Sequence, residues 1–291
     1  MYSDLIDELN CGVIEKENIF EKKGVLTAKL KYGSYLMNFD VKTKRDIETF
    51  RKPVGNYILI NKISLNIITE QRVNYYANVL CEAMHNLKKD NEKPDKVLIV
   101  GLGNEDIQCD SLGVCVCEKI SQIKPQFNNL YVYSTNVFGK TGIESYDIVE
   151  SIVKNKKIDL VIIIDSLCAG AKERLNTSIQ LTNAGISPGS GVNNTRRIIN
   201  SKNLKCDVVA IGVPLMIYSS SFIFSSLKLE NSELNKLREF KLKDSFYRKI
   251  LMALNDGDEL IVASSNIKEI VGVFADIIFK GILKYLIAIS V

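Results

Sequence analysis

The sequence predicts an α/β protein: a mostly parallel sheet flanked by helices on both faces, with a small β-rich extension on its N-terminal side. Two apolar runs, Val97 to Val100 and Leu160 to Ile164, consist of β-favouring residues without polar alternation, the pattern of strands buried on both faces. From the first run onward, strand-like and helix-like segments alternate, which is the order of a sheet wound with crossover helices. Ahead of it, residues 25 to 62 alternate apolar with polar positions, the mark of strands with one wet face.

The elements follow in chain order. VLTAKLKYG, SYLMNFDV and NYILINK read as short strands punctuated by Gly33, Asp40 and Gly55. A helix from about Thr69 to Lys88 leads through Asn91, Glu92, Lys93 and Pro94 into a strand over 96 to 100. The next helix, near 111 to 123, places Leu112, Val116, Ile120 and Ile123 on one face. A strand over 130 to 134, a helix near 144 to 155 and a strand over 158 to 164 complete the alternation. An extended piece from Asn176 to Thr182 then runs into the loop AGISPGSGVNN, and a strand over 207 to 213 closes the run. What remains reads as largely helical after a polar stretch from Leu227 to Asp244. One domain over 1–291 is expected, with the β-rich extension at 1–65, the core at 66–226 and a helical part at 227–291.

With 291 residues, 46% of them hydrophobic and 25% charged, the chain can bury a sizeable core. Its 38 basic and 34 acidic residues are interspersed, as at Lys42, Lys44, Arg45 and Asp46, which argues against a nucleic-acid surface. The first twenty residues carry Asp4, Asp7, Glu8, Glu15, Lys16 and Glu17 in place of an apolar signal segment. Seven cysteines, an odd number in a chain too large to need staples, point to a reducing cytoplasm. Cys109, Cys115 and Cys117 read as packing residues, since a C-x-C pair on a helix turns its thiols to different faces. The apolar run Ile270 to Val291 carries Asp276, Lys280 and Lys284 along one face, so it reads as an amphipathic helix docked on the core rather than a membrane span.

The chemistry points to carboxylates. Asp165 ends an all-apolar strand, where a charge must be paired, hydrogen-bonded, solvated at a crevice or protonated; a local role is to cap the turn through Ser166 to Ala169. Asp110 stands where the helix after the first buried strand begins, which suits an N-cap and a general base alike. If the two strands are neighbours, both carboxyls reach one crevice and cannot both ionise easily, leaving one as a base toward water and the other as a donor to a carbonyl oxygen. Gly101, Gly103 and Asn104 make a tight turn, but Asp106 replaces the third glycine of the dinucleotide fingerprint. The loop from Asn183 to Arg197, rich in glycine around Pro188, offers backbone N–H groups to a substrate main chain or an anion, with Arg196 and Arg197 poised near carboxylates or acidic substrate. The single histidine, His85, reads as a surface or boundary residue, which nearly excludes Ser-His and Cys-His catalysis. No H-E-x-x-H or C-x-x-C pattern exists to hold zinc, so neither metal nor cofactor is expected.

GLGN, D-x-LG at Asp110 to Gly113, TGIE at 141 to 144, IID-x-L at 163 to 167, ERLNT-x-IQ at 173 to 180, GI-x-PGSGV-x-N at 185 to 194 and AIGVP at 210 to 214 together resemble the spore germination protease family. Weaker similarity reaches Asp4 and Leu5 and the terminal helix from Asn266. The resemblance implies a fold similar to that of the hydrogenase maturation proteases. It also implies a cytoplasmic endopeptidase of the forespore and spore core that degrades small acid-soluble spore proteins at germination, treated as an atypical aspartic peptidase. The proposed catalytic aspartates of that family fall on Asp110 and Asp165. Its members are made as zymogens with a short pro-segment, of which Met1 to Asp4 would remain, and are similar to tetrameric assemblies. Here Gln108-Cys109 stands where the family has Thr-Pro. Asn183-Ala184-Gly185-Ile186-Ser187-Pro188 stands where it has Asp-Thr-Gly-Ile-His-Pro, and Asn193-Asn194-Thr195-Arg196 where it has Gly-Asn-Lys-Arg. The reading is therefore a homo-oligomeric peptidase with Asp110 and Asp165 as the catalytic pair and Asn104, Gly189, Ser190, Gly191 and Arg196 positioning the substrate. A hydrogenase-maturation-type peptidase and a non-catalytic relative that binds spore proteins or regulates a protease are the alternatives.

Overall fold

The computed structural model describes residues 19–22, 24–65, 67–87, 93–135, 143–188, 197–226 and 260–291. Their strands form one sheet. β1 (Ile19–Lys22), β2 (Val25–Lys29), β3 (Tyr35–Val41) and β4 (Gly55–Asn61) run antiparallel to one another, and β4 hands the sheet on to β8 (Ser178–Thr182), also antiparallel. β8 pairs antiparallel with β9 (Asp207–Tyr218). From there the sheet is parallel: β9 beside β7 (Leu160–Ala169), β7 beside β5 (Val97–Gly101), and β5 beside β6 (Leu130–Ser134) at the edge. β10 (Ile261–Val262) pairs with the end of β9.

The apolar runs form the parallel centre, and their alternate residues feed two cores. On one face Val97, Ile99, Leu160, Ile162 and Ile164 pack with α2 (Glu70–Leu87), α3 (Leu112–Ile123) and α6 (Ile267–Ile289). On the other, Leu98, Val100, Val161 and Ile163 pack with α4 (Ser145–Lys156) and with Leu204 of the short α5 (Ser201–Leu204). The amphipathic reading of the terminal helix holds. Ile270, Phe274, Ile277, Ile278 and Ile282 are buried, Asp276 lies 2.8 Å from the Lys119 ammonium, and Lys280 donates to Asn74 Oδ1 at 2.9 Å. Among the described residues no helix is long and apolar enough to cross a membrane.

The α/β architecture with helices on both faces is as expected, and the N-terminal strands lie where their alternation put them. They join the central sheet rather than a separate layer, so the sheet as a whole is mixed. The partner that brings them in, β8, lies far along the chain, and local alternation carries no information about it. β7 and β9 also outrun their expected ends, because they continue to pair with each other beyond the last rung of β5. The sequence reading omitted a helix, α1 (Lys44–Phe50), whose capping box is Thr43 with Asp46: each backbone N–H donates to the other side chain, at 2.8 and 3.2 Å.

The winding places the site. From β5 the chain crosses one face through α3 to β6, then returns across the opposite face through α4 to β7, on the other side of β5. The reversal opens a crevice beyond the carboxyl ends of β5 and β7, where open α/β sheets bind ligands.

Candidate active site

The loop leaving β5 is folded tightly enough to dictate its residues. Gly103 has φ +118, and a Cβ there would fall 1.9 Å from the Asp110 carbonyl oxygen, so only glycine fits. Asn104 N–H donates to that carbonyl at 3.1 Å, and the Asn104 amide oxygen accepts from Asp106 N–H at 3.1 Å. A 3₁₀ turn over Gln108–Asp110 then delivers Asp110. Gly113 lets α3 start against both strands, since a Cβ there would sit 2.3 Å from the Leu102 carbonyl oxygen and 2.6 Å from that of Ile164. The N-cap of α3 is Ser111, not Asp110, and the Ser111 side chain makes no capping bond. The Asp110 carboxyl is thus left to the crevice. Burial pushes its pKa up to about 6, against a hydrogen bond from the Asn104 backbone that favours its charged form.

Asp165 is 9% exposed and sits opposite Gly212 within the long β7–β9 ladder. β7 continues to Ala169, so no turn exists for Asp165 to cap. Its Oδ1 instead accepts the Ser166 backbone N–H at 2.9 Å. Loss of water and the charge of Asp110 push its pKa up to about 8, with the Ser166 N–H opposing. The two carboxyls line one cavity of about 810 Å³, as do Lys52, Thr135, Ser145, Ser166 and Arg174. The Thr135 hydroxyl is occupied, donating to the Gly101 carbonyl at 3.2 Å. The Lys52 side chain is exposed overall, but its ammonium is held below the ordinary lysine range by local burial and by the Arg174 guanidinium. A carboxyl pair whose members differ in proton affinity can hold a base and an acid at neutral pH, and two cations on the same cavity can draw an anionic segment toward it.

The structure distributes the other expected residues. Asn104 is buried and shapes the loop that carries Asp110; it is not among the residues lining the cavity. Ile186, Ser187 and Pro188 line it, whereas Gly189, Ser190, Gly191 and Arg196 lie outside the described residues, as do 136–142 and 227–259. Arg197 meets carboxylates at the start of α4: it pairs with Asp147, lies 3.5 Å from Glu144 and stacks over Tyr146 at 4.6 Å. His85 packs its ring 4.7 Å from Tyr285, and it is not among the cavity's lining residues. Among the described residues no group of three or more His, Cys, Asp or Glu side chains could hold a metal. Burial pushes the Cys117 thiol up to about 12, as befits a packing residue, while Cys109 and Cys168 line the cavity.

Sequence reasoning missed Lys52, Thr135, Ser145 and Ser166 as lining residues. Lys52 precedes β4 in the part set apart as an extension, and only the β4–β8 pairing brings it to the crevice. Arg174 belongs to the ERLNT motif, whose presence was a usable signal.

Residues 13–256 match the family model described as germination protease. The chain is 35% identical over 238 residues to the germination protease of Caldanaerobacter subterraneus subsp. tengcongensis, covering 77% of this chain and 71% of the relative. To that of Clostridium tetani it is 30% identical over 259 residues, with 85% and 79% covered. To that of Bacillus subtilis it is 31% identical over 212 residues, with 68% and 57% covered. Among solved structures it is similar to a nickel–iron hydrogenase maturation protease from Thermococcus kodakarensis, at a TM-score of 0.35 and 14% identity over 64% of this chain and 93% of that one.

Proposed function

The chain belongs to the germination protease family, and on that premise we propose that it is an endopeptidase that degrades small acid-soluble spore proteins during germination, with Asp110 and Asp165 sharing one proton to activate water. The observation that carries this reading is the convergence of the two carboxyls, one on β7 and one in the loop leaving its parallel neighbour β5, on one cavity at the reversal of the sheet. Their unequal proton affinities support the assignment of roles: Asp110 is the base and Asp165 the acid.

Water attacks the scissile carbonyl carbon while Asp110 takes a proton from it and Asp165 gives its own to the carbonyl oxygen. The gem-diol then collapses: its C–N bond breaks as Asp110 protonates the leaving nitrogen, and Asp165 recovers a proton from one hydroxyl. Both residues end as they began. Asn104 positions Asp110 through the loop. Gly189, Ser190 and Gly191 come next in the sequence after Ser187 and Pro188 of the cavity lining, and Arg196 belongs to the same loop, which supports a part for them in holding the substrate main chain. The forespore and spore-core cytoplasm and a homo-oligomeric assembly are the setting that family membership favours.

Digestion of a purified small acid-soluble spore protein tests the reading. The unaltered chain should give discrete fragments, and Asp110→Asn and Asp165→Asn should each lower turnover by about 10²-fold or more. Unchanged turnover in both variants removes the assignment, and tight complex formation without fragments makes the chain a binder.

A further inference from the structure

Toward its carboxyl end β7 keeps a strand on only one of its two sides. β9 accompanies it from Leu160 to Ala169, whereas β5 stops at the rung between Gly101 and Ile164. One further main-chain bond, from Leu102 N–H to the Ile164 carbonyl at 2.8 Å, closes that ladder, and the chain then turns away at Gly103. Among the described residues no strand pairs with Asp165 to Ala169 on the β5 side.

The cavity occupies the place that β5 leaves. Leu102 and Gly103 line it, and so does every residue from Asp165 to Gly170. Successive side chains of a strand point to opposite faces, so a hollow over one face meets alternate residues; an unbroken run of lining residues places this one along the main chain of β7 as well. Ser166 makes the point. Its side chain shares the face of Leu160, Ile162 and Ile164 and its Oγ is shut off from solvent, so its main chain is what reaches the cavity.

The same alternation aims the main chain. The Ile164 carbonyl faces β5, and two residues on the main chain of Ser166 faces the same way. The N–H that would carry the ladder forward donates to Asp165 Oδ1 instead, at 2.9 Å. The Ser166 carbonyl faces the place where a longer β5 would offer its next N–H. Proteins commonly cover or blunt such edges, because an exposed one recruits an extended chain. The edge from Asp165 to Ala169 spans about 16 Å. It opens into the cavity that both carboxyls line, and it begins at Asp165 itself.

We propose that the substrate binds as an extended strand along the β5 side of β7, from Asp165 to Ala169, with one of its N–H groups donating to the Ser166 carbonyl. The proposal rests on the reading of Asp110 and Asp165 as the hydrolytic pair. Strand addition holds the substrate by its main chain, whatever its side chains, and sets a peptide unit beside the residue that begins the edge. It also requires the segment to be cut to be unfolded, since only an extended chain can pair. Main-chain groups of alternate substrate residues face β7, and those between face away.

The experiment is a main-chain scan of the substrate. Mass spectrometry locates the bond cut in a purified small acid-soluble spore protein, and the shortest synthetic fragment cut at that bond becomes the parent peptide. In a series of analogues, each peptide N–H near the cut except the scissile one is replaced in turn by an ester oxygen, which removes a donor and keeps the shape. kcat/KM should fall about fivefold at alternate positions and stay within about twofold at those between. Equal values at all positions, or an equal loss at all, overturn the strand pairing; with Asp110→Asn inactive on the parent peptide, the catalytic pair still stands. Full turnover by Asp110→Asn and Asp165→Asn, or an unaltered chain that leaves the intact spore protein uncut, overturns the pair and this proposal with it.

Discussion

Asp165 follows Ile164, the last residue of β7 to pair with β5, and Asp110 ends the loop that leaves β5 at that same rung. One sheet edge therefore sets the relation between two carboxyls from distant parts of the chain. Burial raises both, to about 6 for Asp110 and about 8 for Asp165. On the proposed mechanism the productive form holds a single proton, with Asp110 ionised and Asp165 protonated. The profile of kcat/KM against pH should then be a bell, falling below about 6 and above about 8, with both limbs belonging to the coupled pair. A profile flat across that range would show that neither carboxyl moves a proton in the reaction.

The same protons set a stability trend. Asp165 binds its proton more tightly folded than unfolded, so between its ordinary pKa of 3.8 and about 8 the native state holds more protons than the unfolded chain. Its contribution is present in full below that window and is lost as pH rises through it, at up to about 1.4 kcal/mol per pH unit. Asp165→Asn keeps the shape without the charge. Denaturant midpoints should converge at the acid end and favour the variant increasingly toward pH 8, where the unaltered chain must hold a buried anion beside Asp110. Parallel midpoint curves would mean that Asp165 is solvated in the folded state.

The site was readable where chemistry follows local pattern. Two unbroken apolar runs had to be central strands; Asp165, directly after one of them, had to face a crevice or be neutralised, and Asp110, ten residues beyond the other, suited a cap and a base alike, so both were candidates before any pairing was known. What was hidden depends on contacts between distant segments. Nothing around Lys52 announces that β4 will meet β8 and carry it to the crevice. Asp110 read as a cap because an acid before a helix usually is one; the tight turn closed by Asn104 and Gly103 moved that duty to Ser111 and freed the carboxyl. Ser166 looked like part of a turn because β7 was expected to stop at β5's last rung, whereas its ladder with β9 carries it to Ala169.

Lys52 and Arg174 bring two cations to the cavity that the two carboxyls line, and burial together with the Arg174 guanidinium lowers the proton affinity of Lys52. Both are exposed, so their attraction is felt by an approaching substrate more than by the fold. Lys52→Glu and Arg174→Glu should each raise KM for an acidic protein substrate by roughly tenfold at low salt, with kcat changed far less, and the difference should shrink as salt is added. An equal loss at all ionic strengths would point instead to displacement of the crevice wall.

Asn183 stands where the resemblance puts an aspartate, and its amide serves two partners. Its Oδ1 accepts the Asn56 backbone N–H at 2.8 Å, and its Nδ2 donates to the Leu87 carbonyl at 3.1 Å, joining β4 to the end of α2. A carboxylate can keep the first bond but would set an anionic oxygen against the Leu87 carbonyl. Asn183→Asp should therefore cost about 1–3 kcal/mol at neutral pH. A protonated carboxyl could donate to that carbonyl, so the folded state would raise the new group's pKa, and the loss should ease as pH falls toward the ordinary carboxyl range. Urea midpoints of the two proteins at neutral and acid pH check this. Unchanged midpoints would show that the Leu87 bond contributes nothing and that the residue is free to carry either charge state. A loss confined to neutral pH would show that the asparagine is a tie between strand and helix, which an ionised carboxylate at 183 could not make.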